Sequence, residues 1–545
     1  MDFLTHHVVR ASARRFATKE ALVHADRRLS YEEVVNQISS LAYGLRQYGI
    51  QRGDRIGIYL DPSVPQVLSI FAASQAGGAF VPINGLLFPH QVSHIAQDCR
   101  MKALITTRAR LQSLAPVLKE MSSLEFVVMA ADEATTTTKQ REGEAPSGQG
   151  NGGSAELRDC ALREYQFEEM CRLWDGGELN DIGIQNDLAA ILYTSGSTGK
   201  PKGVMLSHAN IMAGSSIVST YLGINEHDRI LAILPFSFDA GLNQLMTAFQ
   251  QGGTLILMTF VFAREIVQML LKERITGLAG VPTLWSLLAQ PNSTLQKQPL
   301  PDLRYITNTG GAMPQTVLAT LRKSLSTTKI FLMYGLTEAF RSTYLPPDEL
   351  DRRPTSMGKA IPNTDILVVS EQGLPCKPGE VGELVHRGPT VSLGYWGQPE
   401  LTARVLRPHP FLPQELGGAE KVCYSGDLVK MDEDGFLYFI GRRDTMIKSS
   451  GYRISPTEIE EVLFQSGIIR QAAVIGVPDE VLGQSIKAFV VSKNGDGLDT
   501  NALLGFCAQK MPRHMVPKAV EVLDELPKTS SGKVDYPALR RREGL

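Results

Sequence analysis

Hydrophobic positions in the first 130 residues alternate between strand-like and helical spacing. The run RIGIYL at residues 55–60 and the segment Ala79 to Pro82 predict strands, and Val67 to Ala76 predicts a helix between them. Just upstream, Ser30-Tyr31-Glu32-Glu33 is typical of a capped helix start. This β/α alternation predicts a parallel sheet covered by helices.

The same alternation returns with the apolar strand Asp187 to Tyr193 and continues to about residue 350. Residues 355–440 instead show glycine, proline and alternating strand patterns, which predict a small β-rich subdomain. From Gly441 onward, helix and strand patterns predict a separate α+β domain. The chain is therefore predicted to be an α/β protein, with an N-terminal domain over residues 1–440 and a small C-terminal domain over residues 441–545.

One segment departs from these patterns. Residues 132–156, DEATTTTKQREGEAPSGQGNGGSAE, are rich in threonine, glycine, serine and charged residues. Such a composition cannot bury a core, so it predicts a flexible surface insertion.

Composition narrows the class of protein. The 545 residues carry a formal net charge of −2. The chain therefore lacks the strong positive charge that favours binding to nucleic acid. No apolar stretch approaches the roughly 20 residues that a membrane span needs, and the N-terminus lacks a secretory h-region. The six cysteines form no CxxC pair, which disfavours a zinc site or a disulfide framework. A reduced, cytoplasmic location is the expectation.

The segment from Tyr193 to Gly203 is dense in phosphate-binding groups. Its glycines let the backbone approach phosphates closely, and its hydroxyl and ammonium groups can bind a polyphosphate. It is not a Walker A loop, because two residues separate its first glycines and Pro201 occupies the magnesium-binding position. The candidate ATP-binding residues here are Thr194, Ser195, Gly196, Ser197, Thr198, Gly199, Lys200 and Lys202.

This loop resembles the signature of the acyl-adenylate-forming superfamily, which holds acyl- and aryl-CoA synthetases, adenylation domains of nonribosomal peptide synthetases, and luciferases. Further motifs follow in the family's order: Met333 to Glu338, Tyr424 to Leu428, Gly441 to Lys448 and Pro527 to Lys533. The resemblance covers nearly the whole chain. It implies a stand-alone member that uses ATP and Mg²⁺ and has a mobile C-terminal domain.

The resemblance also implies roles for individual nucleotide-site residues. Tyr334 would stack on adenine, Thr337 would contact the α-phosphate, and Glu338 would hold magnesium, a hard cation that favours carboxylate oxygen. Asp427 would accept both ribose hydroxyls. The remaining residues implied at this site are Arg442, as a second ribose or phosphate contact, and Gly310 and Gly311, whose backbone would line the adenine and acyl pocket.

For catalysis, the resemblance implies that Lys533 bridges the carboxylate and the α-phosphate, with Thr194 and Glu338 taking part. A cation there would offset the repulsion between two anionic reactants. Lys528 is the weaker alternative. The resemblance further implies that Asp444 is the hinge between the domains, and that Lys448 and Gly451 face the thiol channel, with a solvated surface role left open for Lys448.

The acid pocket is predicted from the segment Leu234 to Gly241. Its Phe238-Asp239 pair is similar to amino-acid-activating members, in which the aspartate pairs with the substrate's ammonium group. Asp239 as a cap of the following helix, Gly241 to Phe249, stays open as the alternative. The other predicted lining residues are Asn243, Ala279, Thr307, Thr309, Met333, Arg341 and Ser342. Arg341 could pair with a side-chain carboxylate, or it could point to phosphate or solvent.

The resemblance thus implies a ligase that forms an acyl-AMP and transfers the acyl group to a thiol. The substrate is expected to be a small carboxylic acid, and the Asp239 interpretation favours an amino acid. The thiol would belong to CoA or to the phosphopantetheine of a carrier protein, which is expected to be a separate protein because the chain ends soon after Lys533. The alternative is an acyl- or aryl-CoA ligase for a non-amino acid. A degenerate nucleotide-binding protein is disfavoured by the intact catalytic set.

Overall fold

The computed structural model describes residues 2–131, 162–174, 176, 179–195, 201–417, 420–443, 445–449, 452–479, 482–493, 497–529 and 532–545. The insertion predicted at residues 132–156 lies outside them. The chain divides into two compact units: Met1–Thr259 with Ser392–Thr402, called unit 1, and Phe260–Val391 with Ala403–Leu545, called unit 2. The boundary that the sequence places at residue 441 stays a prediction.

The described strands are β1 Glu20–His24, β2 Arg27–Ser30, β3 Arg55–Tyr59, β4 Ala79–Pro82, β5 Ala103–Thr107, β6 Phe126–Ala130, β7 Arg163–Gln166, β8 Leu188–Ser195, β9 Pro201–Ser207, β10 Arg229–Ala232, β11 Thr254–Leu257, β12 Gly277–Gly280, β13 Tyr305–Asn308, β14 Lys329–Leu336, β15 Ala339–Leu345, β16 Lys359–Ala360, β17 Asp365–Val369, β18 Val381–Arg387, β19 Gly394–Tyr395, β20 Leu406–Pro408, β21 Lys421–Met431, β22 Leu437–Arg442, β23 Ile447–Ser449, β24 Tyr452–Ile454, β25 Ile469–Asp479, β26 Gly483–Ser492 and β27 Ala519–Val522.

The described α-helices are His7–Phe16, Tyr31–Gln47, Val64–Gln75, Pro89–Asp98, Arg108–Leu114, Phe167–Met170, His208–Leu222, Asp239–Gln251, Ala263–Lys272, Pro282–Leu288, Gln315–Ser324, Pro399–Val405, Gln414–Gly417, Pro456–Gln465, Thr500–Lys510 and Tyr536–Arg542. None of these helices combines the length and the apolar character that crossing a bilayer requires.

Unit 1 contains an eight-stranded sheet in the order β19-β9-β8-β4-β3-β5-β6-β7. Strands β8, β4, β3, β5, β6 and β7 run parallel, and β9 and β19 add an antiparallel edge. Every residue of β4 and β6 is buried, as expected for parallel strands covered on both faces. Strands β10, β11 and β1 form a second parallel group that β2 joins antiparallel.

Two predicted helices in unit 1 show how local sequence sets their bounds. Ser30 caps helix Tyr31–Gln47 in a reciprocal capping box with Glu33, which confirms the predicted start. Helix Val64–Gln75 begins three residues before its predicted start and is buried at every position. Its sequence is mostly apolar, and its polar positions are the small or amide side chains of Ser69, Ser74, Gln66 and Gln75, which suits a helix that packs on all faces.

Unit 2 holds three groups of strands. Strands β12, β13 and β14 are parallel, with β15 and β16 antiparallel beside them. The antiparallel sheet β17-β18-β21-β20, with β22 paired to β21, confirms the β-rich subdomain. A third sheet, β24-β23-β26-β25 with β27 on β26, packs against helices Pro456–Gln465 and Thr500–Lys510 and gives the predicted α+β character. The predicted α/β fold class is confirmed.

Candidate active site

The predicted phosphate loop connects two antiparallel strands of unit 1. Thr194 on β8 lies opposite Lys202 on β9, and Ser195 lies opposite Pro201. Gly196, Ser197, Thr198, Gly199 and Lys200 lie outside the described residues. A Walker A loop instead connects a strand to a helix, so this hairpin agrees with the exclusion made from the sequence.

The base of this hairpin is fixed by buried polar groups. The Tyr193 hydroxyl donates to Asp98 Oδ2 at 2.6 Å, and burial raises the pKa of Tyr193 above its ordinary value. On the other strand, the Gly203 carbonyl accepts from the Trp396 amide at 2.8 Å. A side chain at Gly203 would press on Ile191, with a Cβ only 2.6 Å from its Cγ2. Both ends of the predicted phosphate segment are therefore held by packed strands.

Three predicted nucleotide-site residues of unit 2 meet across neighbouring strands. Asp427 on β21 lies opposite Arg442 on β22, and an Arg442 Nη1 atom is 3.1 Å from Asp427 Oδ1. The Tyr334 hydroxyl, from β14, donates to Asp427 Oδ2. Asp427 is 4% exposed, whereas about half of the Arg442 side chain is exposed. The carboxylate is thus positioned from both sides, next to a guanidinium that solvent reaches.

The surroundings of Asp427 fix its direction. Burial, followed by the Asp427 charge, raises the pKa of Tyr334 well above its ordinary value, so Tyr334 remains a hydrogen-bond donor. The Ser425 hydroxyl accepts from the Asp427 amide at 3.1 Å and donates to the Leu384 carbonyl at 2.7 Å. Gly426, at an irregularity within β21, has a φ of 73°, which a residue with a side chain rarely adopts.

Two neighbours of this cluster escaped the sequence analysis. Glu383 accepts from the Gly426 amide at 3.1 Å and pairs with Arg443 at 2.9 Å, so it supports the irregular backbone just before Asp427. The His386 ring stacks beside Tyr334, with ring centroids 6.1 Å apart. Both residues lie on β18 within an ordinary alternating pattern. No local signal marks them, because their contacts come from other strands.

Other predicted residues follow the carboxyl ends of the parallel strands of unit 2. Thr337 and Glu338 form the turn between β14 and β15, where Leu336 pairs with Ala339. Thr309 and Gly310 follow β13, and Gly310 has a φ of 79°. Ligands of open α/β sheets bind outside this edge. Glu338 there offers the carboxylate oxygen that suits Mg²⁺, and its metal role stays a prediction.

The C-terminal lysine motif reaches the same edge of unit 2. The Thr529 amide donates to the Lys533 carbonyl at 2.7 Å, which closes a tight loop. Within this loop the Gly532 carbonyl accepts from the Thr283 hydroxyl at 3.4 Å, just beyond the carboxyl end of β12. Lys528 instead pairs with Glu525. Lys528 thus has a carboxylate partner in the structure, and the assignment of Lys533 as the catalytic lysine stays a prediction.

In unit 1, the predicted acid-pocket residues Phe238, Asp239 and Asn243 lie at the start of one helix. The helix is Asp239–Gln251, so Asp239 is its first residue and Phe238 occupies the N-cap position. The helix therefore begins two residues before the predicted Gly241, and Asp239 is not the capping residue itself. Asp239 and Asn243 are both buried. A carboxylate in the first turn interacts favourably with the helix dipole.

The remaining predicted lining residues belong to adjacent strands of unit 2. Ala279 on β12 and Thr307 on β13 lie opposite each other in neighbouring parallel strands. Met333 is buried on β14, and Ser342 is buried on β15. Arg341 is 3% exposed and donates to the Thr309 hydroxyl at 3.4 Å. Arg341 therefore points neither to solvent nor along the surface.

Three predicted positions elsewhere cannot be placed. Asp444 and Gly451 lie outside the described residues, as does the side chain of Lys448 on β23. Their hinge and thiol-channel roles stay predictions, like the roles assigned to the other site residues.

The chain is similar to known proteins over nearly its whole length. The family model for the AMP-binding enzyme matches residues 9–396, and that for the AMP-binding enzyme C-terminal domain matches residues 458–533. A long-chain-fatty-acid–CoA ligase of Bacillus subtilis is 32% identical over 97% of this chain and 92% of its own. A feruloyl-CoA synthase of an Amycolatopsis species is 31% identical over 96% of each chain. The crystal structure of the anthranilate CoA ligase AuaEII shares the fold, with a TM-score of 0.86 and 24% identity over 99% of this chain and 97% of that one.

Proposed function

This chain belongs to the AMP-binding enzyme family and is an AMP-forming ligase, and on that premise we propose that it is an acyl- or aryl-CoA ligase. It converts a carboxylic acid, ATP and CoA into an acyl-CoA, AMP and pyrophosphate. The two curated relatives described above are named as CoA ligases and match nearly the full chain. They give no support to the amino-acid substrate, the phosphopantetheine acceptor or the carrier protein that the sequence favoured, so we set those aside.

The observation that carries the nucleotide half of the proposal is the buried Asp427 carboxylate. It is held by the Tyr334 hydroxyl and by Arg442 at 3.1 Å. A carboxylate has two acceptor oxygens, which suits the two hydroxyls of a ribose. Tyr334 then places an aromatic ring, and Arg442 a cation, beside the same nucleotide.

In the first step, an oxygen of the acid attacks the α-phosphorus of ATP and displaces pyrophosphate. We assign to Lys533 the role of offsetting the repulsion between the two anionic reactants, and to Thr194 and Lys202 the role of binding the phosphates that leave. Glu338 would hold Mg²⁺, which neutralises phosphate charge when bound. These groups lower the barrier chiefly by placing positive charge where negative charge develops.

In the second step, the CoA sulfur attacks the carbonyl carbon of the acyl-AMP. The carbon–sulfur bond forms as the bond to the AMP oxygen breaks, and the thiol proton is lost. The mixed anhydride makes this transfer favourable, because AMP is a good leaving group. Lys448 and Gly451 are the residues that we assign to the face presented to the thiol.

Pyrophosphate exchange tests this proposal directly. Purified protein is incubated with ATP, labelled pyrophosphate and a panel of alkyl, aryl and amino acids, and acyl-CoA formation is then measured with CoA. We expect exchange with one class of non-amino acids, followed by CoA-dependent release of AMP. The proposal would be contradicted if only amino acids supported exchange, or if none of the acids did.

An Asp427→Asn variant tests the nucleotide site. Loss of one charged hydrogen-bonding partner costs about 1.5 to 3 kcal/mol, so the KM for ATP should rise roughly 10- to 100-fold. The matched control is Asp365→Asn, because Asp365 is about half exposed and pairs loosely with Arg387 at 3.7 Å. An unchanged KM for ATP in Asp427→Asn would contradict the assignment.

A further inference from the structure

Arg341 lies in an irregular stretch of β15. Tyr334 on β14 pairs with Thr343 and Leu336 pairs with Ala339, so Gly335 alone faces the three residues Phe340 to Ser342. A Cβ at Gly335 would lie 3.3 Å from the Arg341 Cα. The glycine therefore leaves room for the extra backbone of β15. Such bulges occur next to active sites, where they redirect a side chain.

Contacts from outside the β14–β15 pair hold this bulge. The Phe340 amide donates to the Thr390 carbonyl at 3.0 Å, and the Thr390 hydroxyl donates to the Arg341 carbonyl at 3.2 Å. The Ile361 amide donates to the Ser342 carbonyl at 3.0 Å. The backbone on both sides of Arg341 is thus fixed, which sets the direction of the guanidinium.

The guanidinium is buried without an acidic partner. Arg341 is 3% exposed. Among the described residues, no salt bridge joins it to a carboxylate. Its Nη1 makes a long hydrogen bond of 3.4 Å to the Thr309 hydroxyl, and its Nε has no hydrogen-bond partner among the described residues. A buried charge without a counter-charge is costly, so a fold that keeps one has a use for it.

The position of Arg341 indicates which ligand supplies that counter-charge. Thr309 directly follows β13, at the edge of the parallel strands where ligands bind. Among the acid-pocket residues that the sequence predicts in unit 2, namely Ala279, Thr307, Thr309, Met333, Arg341 and Ser342, Arg341 alone carries a charge. A neutral acyl chain in that pocket would leave the guanidinium buried and unpaired.

We propose that Arg341 binds a second carboxylate of the acid, so that the substrate is a dicarboxylic acid. This inference rests on the proposed ligase function and deepens it. One carboxylate of the substrate is activated at the α-phosphate beside Lys533, and the other pairs with the Arg341 guanidinium and the Thr309 hydroxyl. Arginine suits this task because its planar fork binds a carboxylate with two parallel hydrogen bonds.

The test compares acids that differ by one charge and little else. Linear dicarboxylates from succinate to suberate, and terephthalate, are each paired with their monoamides in the pyrophosphate exchange assay. For the chain length that fits, we expect kcat/KM for the dicarboxylate to exceed that for its monoamide at least about 10-fold, since one charged hydrogen-bonded contact is lost.

An Arg341→Met variant removes the charge and keeps an unbranched side chain of similar reach. We expect it to lose the preference for the dicarboxylate over the monoamide while the KM for ATP stays unchanged. Arg341→Lys should keep part of the preference, because it retains the charge but loses the fork. The matched control is Arg322→Met, since Arg322 is exposed and pairs with Asp351 at 2.5 Å.

Each outcome separates this inference from the proposed function. The Arg341 assignment is overturned if exchange is equally fast with monoamides and dicarboxylates. It is also overturned if the Arg341→Met variant loses affinity for ATP with every acid. In both cases the proposed CoA ligase function still stands. If none of the acids supports pyrophosphate exchange, the proposed ligase function itself is overturned. If Arg341→Met does not fold, the wild-type comparison of acids and monoamides still decides the question.

Discussion

Glu460 is a carboxylic acid buried within the C-terminal part of unit 2. It accepts hydrogen bonds from the Tyr536 hydroxyl at 2.7 Å and the Val474 amide at 2.8 Å. Burial nevertheless raises its pKa to about 7, because the two hydrogen bonds only partly offset the loss of hydration. Glu460 therefore links helix Pro456–Gln465, strand β25 and helix Tyr536–Arg542 through a group that titrates near neutral pH.

We predict that Glu460→Gln stabilises the protein above pH 7. The folded pKa of Glu460 lies above the unfolded one, so its favourable contribution is present below about pH 4.5 and is lost as pH rises through 7. The glutamine side chain does not ionise, so the variant avoids this loss of stability, and its amide oxygen can still accept both hydrogen bonds. Denaturant unfolding at pH 5 and pH 8 should show a gain of the order of 2 to 3 kcal/mol at pH 8 and little at pH 5. An equal effect at both pH values would contradict the assignment.

Lys533 offers a second prediction at the residue scale. Lys533→Ala should lower acid-dependent pyrophosphate exchange by at least about 100-fold, because a charge that stabilises the transition state is removed. Thioester formation from pre-made acyl-AMP should remain. Lys528→Ala serves as the control, since Lys528 pairs with Glu525. Retained exchange in the Lys533 variant, or a larger loss in the Lys528 variant, would exclude Lys533 as the adenylation lysine.

At the scale of elements, helix Asp239–Gln251 depends on a close backbone approach at its start. A Cβ on Gly241 would lie 2.2 Å from the Pro235 carbonyl oxygen and 2.6 Å from that of Leu234. Backbone atoms cannot yield as a flexible side chain can. Gly241 therefore lets this buried helix turn directly out of the preceding segment, and the position of Asp239 follows from it.

The same substitution at two helical glycines should have opposite effects. Gly241→Ala should destabilise the protein by about 1 to 3 kcal/mol through overpacking. Gly505→Ala, in the exposed part of helix Thr500–Lys510 with no atom within 4 Å of the new Cβ, should stabilise it by about 0.5 to 1 kcal/mol. Denaturant unfolding of both variants measures the contrast. A neutral Gly241→Ala would mean that the helix start can shift without cost.

Element types followed closely from local sequence patterns. Strand β4 has its predicted bounds, and the capping box at Ser30 fixes the start of its helix. The bulge in β15 escaped prediction, because its extra residues oppose Gly335 on another strand. Periodicity within one strand carries no information about the residue count of its partner.

At the scale of the whole molecule, three buried histidines make stability depend on pH. Burial lowers the pKa of His6 to about 4, and it lowers the pKa values of His208 and His386 to about 3. His6 and His208 lie in unit 1, and His386 lies in unit 2. All three are held neutral in the folded state, whereas the unfolded chain protonates them near pH 6.5.

We therefore predict that stability falls as pH drops below about 6.5. The unfolded state then binds more protons than the folded state, so each histidine costs about 1.4 kcal/mol per pH unit until its folded pKa is reached. His386→Leu should reduce the slope of the unfolding free energy between pH 4 and 6 by about that amount, measured by denaturant titration. His227→Leu, at an exposed histidine, is the control and should leave the slope unchanged. A slope that is the same in both variants would contradict the role of His386.

The sequence by itself determined the family, the alternation of strands and helices, and the candidate ATP, magnesium and lysine residues. These follow from short segments whose spacing and chemistry can be read locally. Only the tertiary structure decided that Tyr334 and Asp427, 93 residues apart, share a hydrogen bond, and that Arg341 is buried beside Thr309 without a carboxylate. Burial and contacts between distant strands depend on how the elements pack, and the cost of an unpaired charge appears only after packing removes water from it.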